Sequence, residues 1–379
     1  MIKKFFITLL VLILLLAGYV YWAFAAKKTL ITPYPYSFNA NAASAIASEI
    51  KEVEAAKILI VGDRMALALN NYTAGIEAEL APNFKMAPKI YNWAKPHEGL
   101  HRTLFKLKSL KKFPPIIIYH GASSELFEKT FSVTDKNAII KNFTIFDDEK
   151  MISLIITFPW ISKVLYKKMD YFELGAIKEY QNHLPGMDKM NEKEIAFKLF
   201  DYEMRELSEL IKDKKSNLIL ITTPLNLEIP PKEICTGTTT NTVIEVQQEI
   251  EDLINLGNFK KAYPEALELS NETLSNSKSF YLLGKAAMGL GDLKTAREAL
   301  QKASVFDCAN WRGNAIYNAI LKSTAKRKQL PIIDFDQLMA SSLSKDGLFN
   351  DEIFPQNLFY QSMIQELKET LKKILSVND

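Results

Sequence analysis

Three short runs, Ile58-Leu59-Ile60-Val61, Ile116-Ile117-Ile118-Tyr119 and Leu218-Ile219-Leu220-Ile221, are apolar without alternation. A strand with one face in water reads apolar-polar-apolar; an unbroken β-branched run needs cover on both faces. Between these runs the periodicity is helical. The pattern predicts a helix over 42–56, a strand over 57–61, a helix over 65–80 and a short strand over 89–94. A helix over 97–112, with lysines on its outer face, leads through Pro114-Pro115 to the strand 116–119. Further on come a charged helix over 192–214, a strand over 217–222, a short strand over 331–334 and a closing helix over 357–375. Strands alternating with helices in this way predict an α/β domain with a parallel sheet.

The first residues set the compartment. Phe5 to Ala26 is almost entirely apolar, broken by Thr8 and Gly18, and is long enough to cross a hydrocarbon core of about 30 Å. Lys3 and Lys4 precede it and favour a cytoplasmic N-terminus, whereas Lys27 and Lys28 oppose that bias. Ala23-Phe24-Ala25 has the form of a signal-peptidase site, but the apolar run exceeds the roughly 7–15 residues of a signal core. The expectation is a signal anchor over 1–26 and a linker over 27–43, with one pass through the inner membrane and the bulk of the chain periplasmic. The 379 residues carry a near-balanced net charge of +3, and no basic block is interleaved with aromatics. Nucleic acid is therefore not an expected partner.

In an oxidising compartment Cys235 and Cys308 can form a disulfide, or they remain two partly buried thiols. Two cysteines and four scattered histidines have no ligand spacing, so neither metal nor cofactor is expected. His97 and His101 sit four apart, which on a helix reads as a solvated face. Between the cysteines, Val243 to Asp307 has another texture. Leu283, Gly284, Ala287, Gly291, Ala296, Leu300 and Ala303 fall at tetratricopeptide-repeat spacings; Gly257-Asn258, Ala262 and Ala266 follow a weaker copy. A repeat-like helical insertion over 240–308, leaning on the main domain and open to a protein partner, is expected. A segment over 147–175, centred on Phe158-Pro159-Trp160, reads as a buried hairpin, a lid or a surface-lying element.

Two tags carry the chemistry. Gly62-Asp63-Arg64 follows the first strand, and Gly347-Leu348-Phe349-Asn350-Asp351-Glu352-Ile353-Phe354-Pro355 lies before the last helix. Their order and context resemble the SGNH (GDSL-type) hydrolases. That resemblance implies a flavodoxin-like three-layer sandwich in two parts, 44–234 and 309–379, with its site at the strand C-termini. It also implies a nucleophilic serine at position 64 and a basic histidine at 354, where this chain has Arg64 and Phe354. Neither a guanidinium nor a phenyl ring can do that work. Gly121, Ser123, Ser124 and Glu125 stand where the family places its oxyanion asparagine block, and Gly99 is the counterpart of a second donor.

The resemblance therefore implies a pseudoenzyme of the cell envelope that binds a glycan or an acylated molecule. Arg64, Ser123, Ser124, Glu125 and Asp351 are the candidate ligand-binding residues, with Arg64 expected to pair with Asp351, Asp63 or Glu125. The alternative is an O-acyl esterase or acetyltransferase using Ser123 or Ser124 with His120.

Overall fold

The computed structural model describes residues 2–26, 49–83, 88–125, 158, 186–309, 312–344 and 347–376. Two units emerge: Met1–Ala40 with Thr130–Tyr171, and Asn41–Lys129 with Phe172–Asp379. In the first, a single helix covers Ile2–Ala26. Its Lys3–Tyr21 stretch has a mean hydropathy of 2.2 and is long and apolar enough to cross a membrane. Thr8 Oγ1 donates to the Lys4 carbonyl at 3.0 Å, so the hydroxyl in this stretch brings its own acceptor. The linker 27–43 and the segment 147–175 lie outside the described residues, except Phe158, whose ring centroid is 6.2 Å from that of Tyr19.

The second unit is built on five parallel strands: β1 (Ile58–Gly62), β2 (Ile90–Asn92), β3 (Ile116–His120), β4 (Asn217–Ile221) and β5 (Ile332–Ile333). Their order, β2-β1-β3-β4-β5, is the flavodoxin-like winding, which reverses direction between β1 and β3. The register pairs Ile58 with Ile116 and Gly62 with His120, then Ile116 with Asn217 and His120 with Ile221. The three central strands consequently end at one level.

Alternate side chains of each strand enter opposite layers. Leu59, Val61, Ile117, Tyr119, Leu218 and Leu220 pack against Leu104, Phe200, Met204 and Tyr317. Ile58, Ile60, Ile116, Ile118, Ile219 and Ile221 pack against Leu69, Ile76, Phe335 and Met363. Both faces are covered, which explains the unbroken apolar runs.

Several expected boundaries move. Of the helix expected over 42–56, residues 42–48 lie outside the described residues and 49–55 are helical. That over 65–80 is two helices, Arg64–Ala68 and Asn70–Leu80, and the charged one starts at Gly186. The helix expected over 97–112 covers Leu100–Lys108. His97, in the left-handed region at φ 59, precedes it, so the two histidines share no helical face. His101 Nδ1 instead lies 3.3 Å from Glu203 Oε1 and is largely buried, not solvated. Lys106 also departs from the expected outer lysine face. Its ammonium is buried on Glu98 at 2.8 Å, and it donates to the Trp93 carbonyl.

Residues 241–306 form four helices, Asn241–Asn255, Phe259–Glu272, Ser277–Gly289 and Leu293–Phe306. Small residues set their approach: a Cβ on Gly284 would lie 2.5 Å from Leu300 Cγ, and one on Gly289 2.2 Å from Phe259. Leu225, Leu227 and Leu343 join Ala287, Ala296 and Leu300 in one buried cluster, so these helices rest on the loops beside β4 and β5. The Arg297 guanidinium adds an ion pair to buried Asp336 at 2.5 Å. Cys235 and Cys308 form a disulfide with a Cα separation of 6.0 Å, and the neighbouring Ile234 and Asp307 pair as a β-bridge.

Candidate functional site

The C-terminal ends of β1 and β3 flank the reversal in strand order, where open α/β sheets leave a crevice. Gly62 makes their close approach possible. Its φ is 133, and a Cβ there would sit 2.1 Å from the His120 carbonyl oxygen. Asp63 then starts the Arg64–Ala68 helix as its N-cap, Oδ1 accepting from the Met65 N–H at 2.9 Å. Its Oδ2 accepts from both the N–H and the Oγ of Ser123, each at 2.7 Å. Burial pushes the Asp63 carboxyl upward, while those donors and the Arg64 charge act against it.

Arg64 turns toward the same serine. Nε donates to Ser123 Oγ at 3.2 Å and Nη2 to the Ser123 carbonyl at 3.0 Å. Ser123 lies after a left-handed Ala122 at φ 75, and its hydroxyl is held between a carboxylate and a guanidinium. The expected ion pairs from Arg64 to Asp351, Asp63 or Glu125 are not formed within 4 Å among the described residues. Hydrogen bonds to Ser123 take that role. Burial lowers the Arg64 pKa, and the charges of Asp63 and Asp351 oppose that shift. Asp351 is therefore near enough to share this crevice.

Asp351 is occupied locally. Its Oδ1 accepts from the Ile353 N–H at 2.7 Å and the Phe354 N–H at 2.6 Å, closing a turn. Asn350 N–H reaches the Phe354 carbonyl at 2.8 Å, and Phe349 pairs with Pro355. The loop is thus fastened without an imidazole.

Glu125 has a structural task. Gly99 is the N-cap of Leu100–Lys108 and has no side chain to cap with. Glu125 Oε2 accepts from the Leu100 N–H at 3.0 Å, and Oε1 accepts from Tyr119 Oη at 3.3 Å. A carboxylate from the chain itself sits at the helix end where an external anion would otherwise bind.

His120 is fully buried. Nδ1 lies 3.3 Å from the Ile221 carbonyl, which assigns the ring proton there, and Nε2 has no hydrogen-bond partner. Burial lowers its pKa to about 4, so the ring is neutral at pH 7. No hydrogen bond joins it to Ser123 or Ser124 among the described residues. The Ser–His pair considered from sequence is not assembled. Ser124 Oγ lies 3.4 Å from Ser123 Oγ, and Gly121 offers its carbonyl to Thr223.

Sequence reasoning missed the aromatic floor. Tyr360 stacks on Tyr72 at 5.7 Å and meets the edge of Phe335 at 5.3 Å. Its buried hydroxyl has no partner and feels the charges of Asp351 and Asp63. The inward stripe Tyr360, Met363, Ile364, Leu367 and Leu371 was the available signal. As chemistry, the assembly can hold a polar group, and among the described residues the Ser123 hydroxyl is engaged by both the Asp63 carboxylate and the Arg64 guanidinium. Among the described residues Glu233, Cys235 and Cys308 bring three potential metal ligands within 4.8 Å, yet the disulfide consumes both sulfurs.

No protein-family model matches the chain, and no curated protein matches it. Two solved structures are similar. One is an assigned acylhydrolase from Bacteroides fragilis, 11% identical, covering 89% of this chain and 100% of that one with a TM-score of 0.36. The other is a GDSL-like lipase from Bacteroides thetaiotaomicron, 11% identical, covering 89% and 97% with a TM-score of 0.32. Likenesses this distant leave the fold class resting on the strand order and the crevice at its reversal.

Proposed function

We propose that this chain is an SGNH-like pseudoenzyme, anchored in the inner membrane by its N-terminal helix, with the remainder exported and acting as a binding or scaffold protein in cell-envelope assembly. One observation carries the reading: Arg64, at the nucleophile position, is fastened to Ser123. Losing the nucleophile and the base together removes any covalent route. In this reading the SGNH-like domain comprises 44–234 and 309–379. The helices within 240–308 are a tetratricopeptide-like insertion offering a face to a protein partner. The crevice takes a glycan or an acylated group.

An esterase or acetyltransferase is the competing reading, favoured by the Ser123 hydroxyl lying 2.7 Å from a buried carboxylate. The intact protein in detergent, given p-nitrophenyl acetate and a fluorophosphonate probe, separates the two. Binding alone predicts no saturable turnover and no labelling. Labelling abolished by Ser123→Ala or Ser124→Ala establishes the enzyme instead.

A further inference from the structure

The pole of the sheet opposite the crevice is basic. Backbone bonds tie the strand entries together there: the Lys57 N–H donates to the Lys89 carbonyl at 2.9 Å, Ile116 N–H to the Lys57 carbonyl at 3.3 Å and Asn217 N–H to the Pro115 carbonyl at 2.8 Å. Four stretches of chain bring six lysines to this end: Lys57, Lys89, Lys111 with Lys112, and Lys214 with Lys215. All six are exposed. The carboxylates beside them are Glu54, which accepts from the Lys111 and Lys112 N–H groups at 2.6 and 3.1 Å, and exposed Asp213.

None of the six ammonium groups forms an ion pair among the described residues; that of Lys214 lies 5.5 Å from the Phe113 ring centroid. On the flanks the pattern differs, since Lys95, Lys108 and Lys328 hold Glu49, Glu206 and Glu209. At the crevice end Lys232 and Lys322 hold Glu352 and Asp334.

Two structural roles explain part of this set. Lysines after a helix offset the negative end of its dipole, which accounts for Lys214 and Lys215 behind the Gly186–Asp213 helix. It does not account for Lys57 and Lys89, which open strands. Lysine on a sheet edge discourages further strand pairing; that suits Lys89 on the outermost strand β2 but not Lys57 on interior β1. What remains is like charge gathered without counter-charge, which repels itself until an anion covers it.

The set contains lysine and no arginine. An ammonium is a hydrated point charge that suits a diffuse layer of phosphates, whereas recognition of one phosphate or base edge favours the guanidinium fork. A lipid surface is such a layer, and the Lys3–Tyr21 stretch of the same chain is long and apolar enough to cross a bilayer. We propose that this lysine pole docks on anionic phospholipid headgroups, which turns the crevice at the other end of the sheet toward the aqueous compartment. Each lysine close to such a surface strengthens binding about fivefold. The docking surface goes beyond the binding role proposed for the crevice and does not depend on it.

Amine footprinting tests this. Full-length protein in nanodiscs of phosphatidylcholine, or of that lipid mixed with phosphatidylglycerol, receives a sparse pulse of an acetylating ester, and mass spectrometry reads each lysine. With phosphatidylglycerol the six lysines should label about fivefold more slowly, while exposed Lys260, Lys261 and Lys294 label equally in both. Salt at about 1 M, where the Debye length is about 3 Å, should erase the difference. Lys57→Gln, Lys89→Gln and Lys112→Gln together should return Lys111, Lys214 and Lys215 to their rate in neutral lipid without moving the thermal midpoint. If that variant does not fold, the comparison of lipids decides alone. Equal labelling in the two lipids, protection that survives high salt, or protection that persists in the triple variant overturns the proposal. Protection by an added oligonucleotide or polyglutamate but not by phosphatidylglycerol assigns the pole to a soluble polyanion and overturns it as well. None of these results bears on Arg64 or Ser123.

Discussion

Arg64 grips Ser123 at two points, its Nε 3.2 Å from the hydroxyl and its Nη2 3.0 Å from the carbonyl. Hydrogen bonds from a charged donor contribute about 1.5–3 kcal/mol each net of the water they displace when buried, and less where, as at Arg64, the group is partly exposed. Arg64→Ala is therefore expected to destabilise the protein by about 2–3 kcal/mol. Arg64→Lys should recover less than half, because an ammonium cannot reproduce the planar fork. Urea unfolding of the detergent-solubilised protein measures both, and wild-type stability in the lysine variant would refute the two-point grip.

His120 makes stability sensitive to acid. Its folded pKa is about 4, against 6.5 ordinarily, so between these values the unfolded chain binds the proton and the folded one does not. Stability is complete above about pH 6.5 and falls as pH drops toward 4, by about 3 kcal/mol from this residue. His120→Gln should flatten that part of the pH profile relative to wild type, although it lowers the plateau. Parallel slopes in the two proteins between pH 6.5 and 4 would show the assignment wrong.

The buried pair of Glu98 and Lys106, 2.8 Å apart, should respond asymmetrically. Glu98→Gln leaves an ammonium without its counter-charge and is expected to cost about 3–5 kcal/mol. Replacing both, as Glu98→Leu with Lys106→Met, should cost far less or stabilise the fold. Chemical denaturation of the single and double variants checks the ordering.

The Cys235–Cys308 bridge spans a sequence separation of 73, which corresponds to a chain-entropy contribution of roughly 4 kcal/mol. Cys235→Ser with Cys308→Ser should lower the thermal midpoint, and reductant should then have no further effect. A midpoint in the double variant equal to that of the oxidised protein would remove the bridge from the account of stability.

The sheet was readable because its strands are covered on both sides and so appear as unbroken apolar runs. The two tags were legible as turns, since Gly62 and Gly347 both adopt positive φ. What escaped are relationships made by folding alone. Glu125 caps a helix that starts 25 residues earlier at Leu100, and no local pattern reveals that pairing. Lys106 looked like one of several outer lysines until Glu98 and the Trp93 carbonyl were seen beneath it. The break at Leu69 divides a helical pattern that is continuous in sequence. Lys57, Lys89, Lys112 and Lys215 gather from far-separated segments, so their pole has no linear signature.

Strands β4 and β5 are neighbours, yet the four-helix segment lies between them in the chain. The sulfur link lets the covalent route from Ile221 to Ile332 bypass those helices, leaving about 40 residues instead of about 110 to be gathered when the sheet closes, a saving of roughly 1 kcal/mol in loop entropy. The last strand can then find its edge as though the insertion were a side branch, and a cell that delays oxidation delays that step.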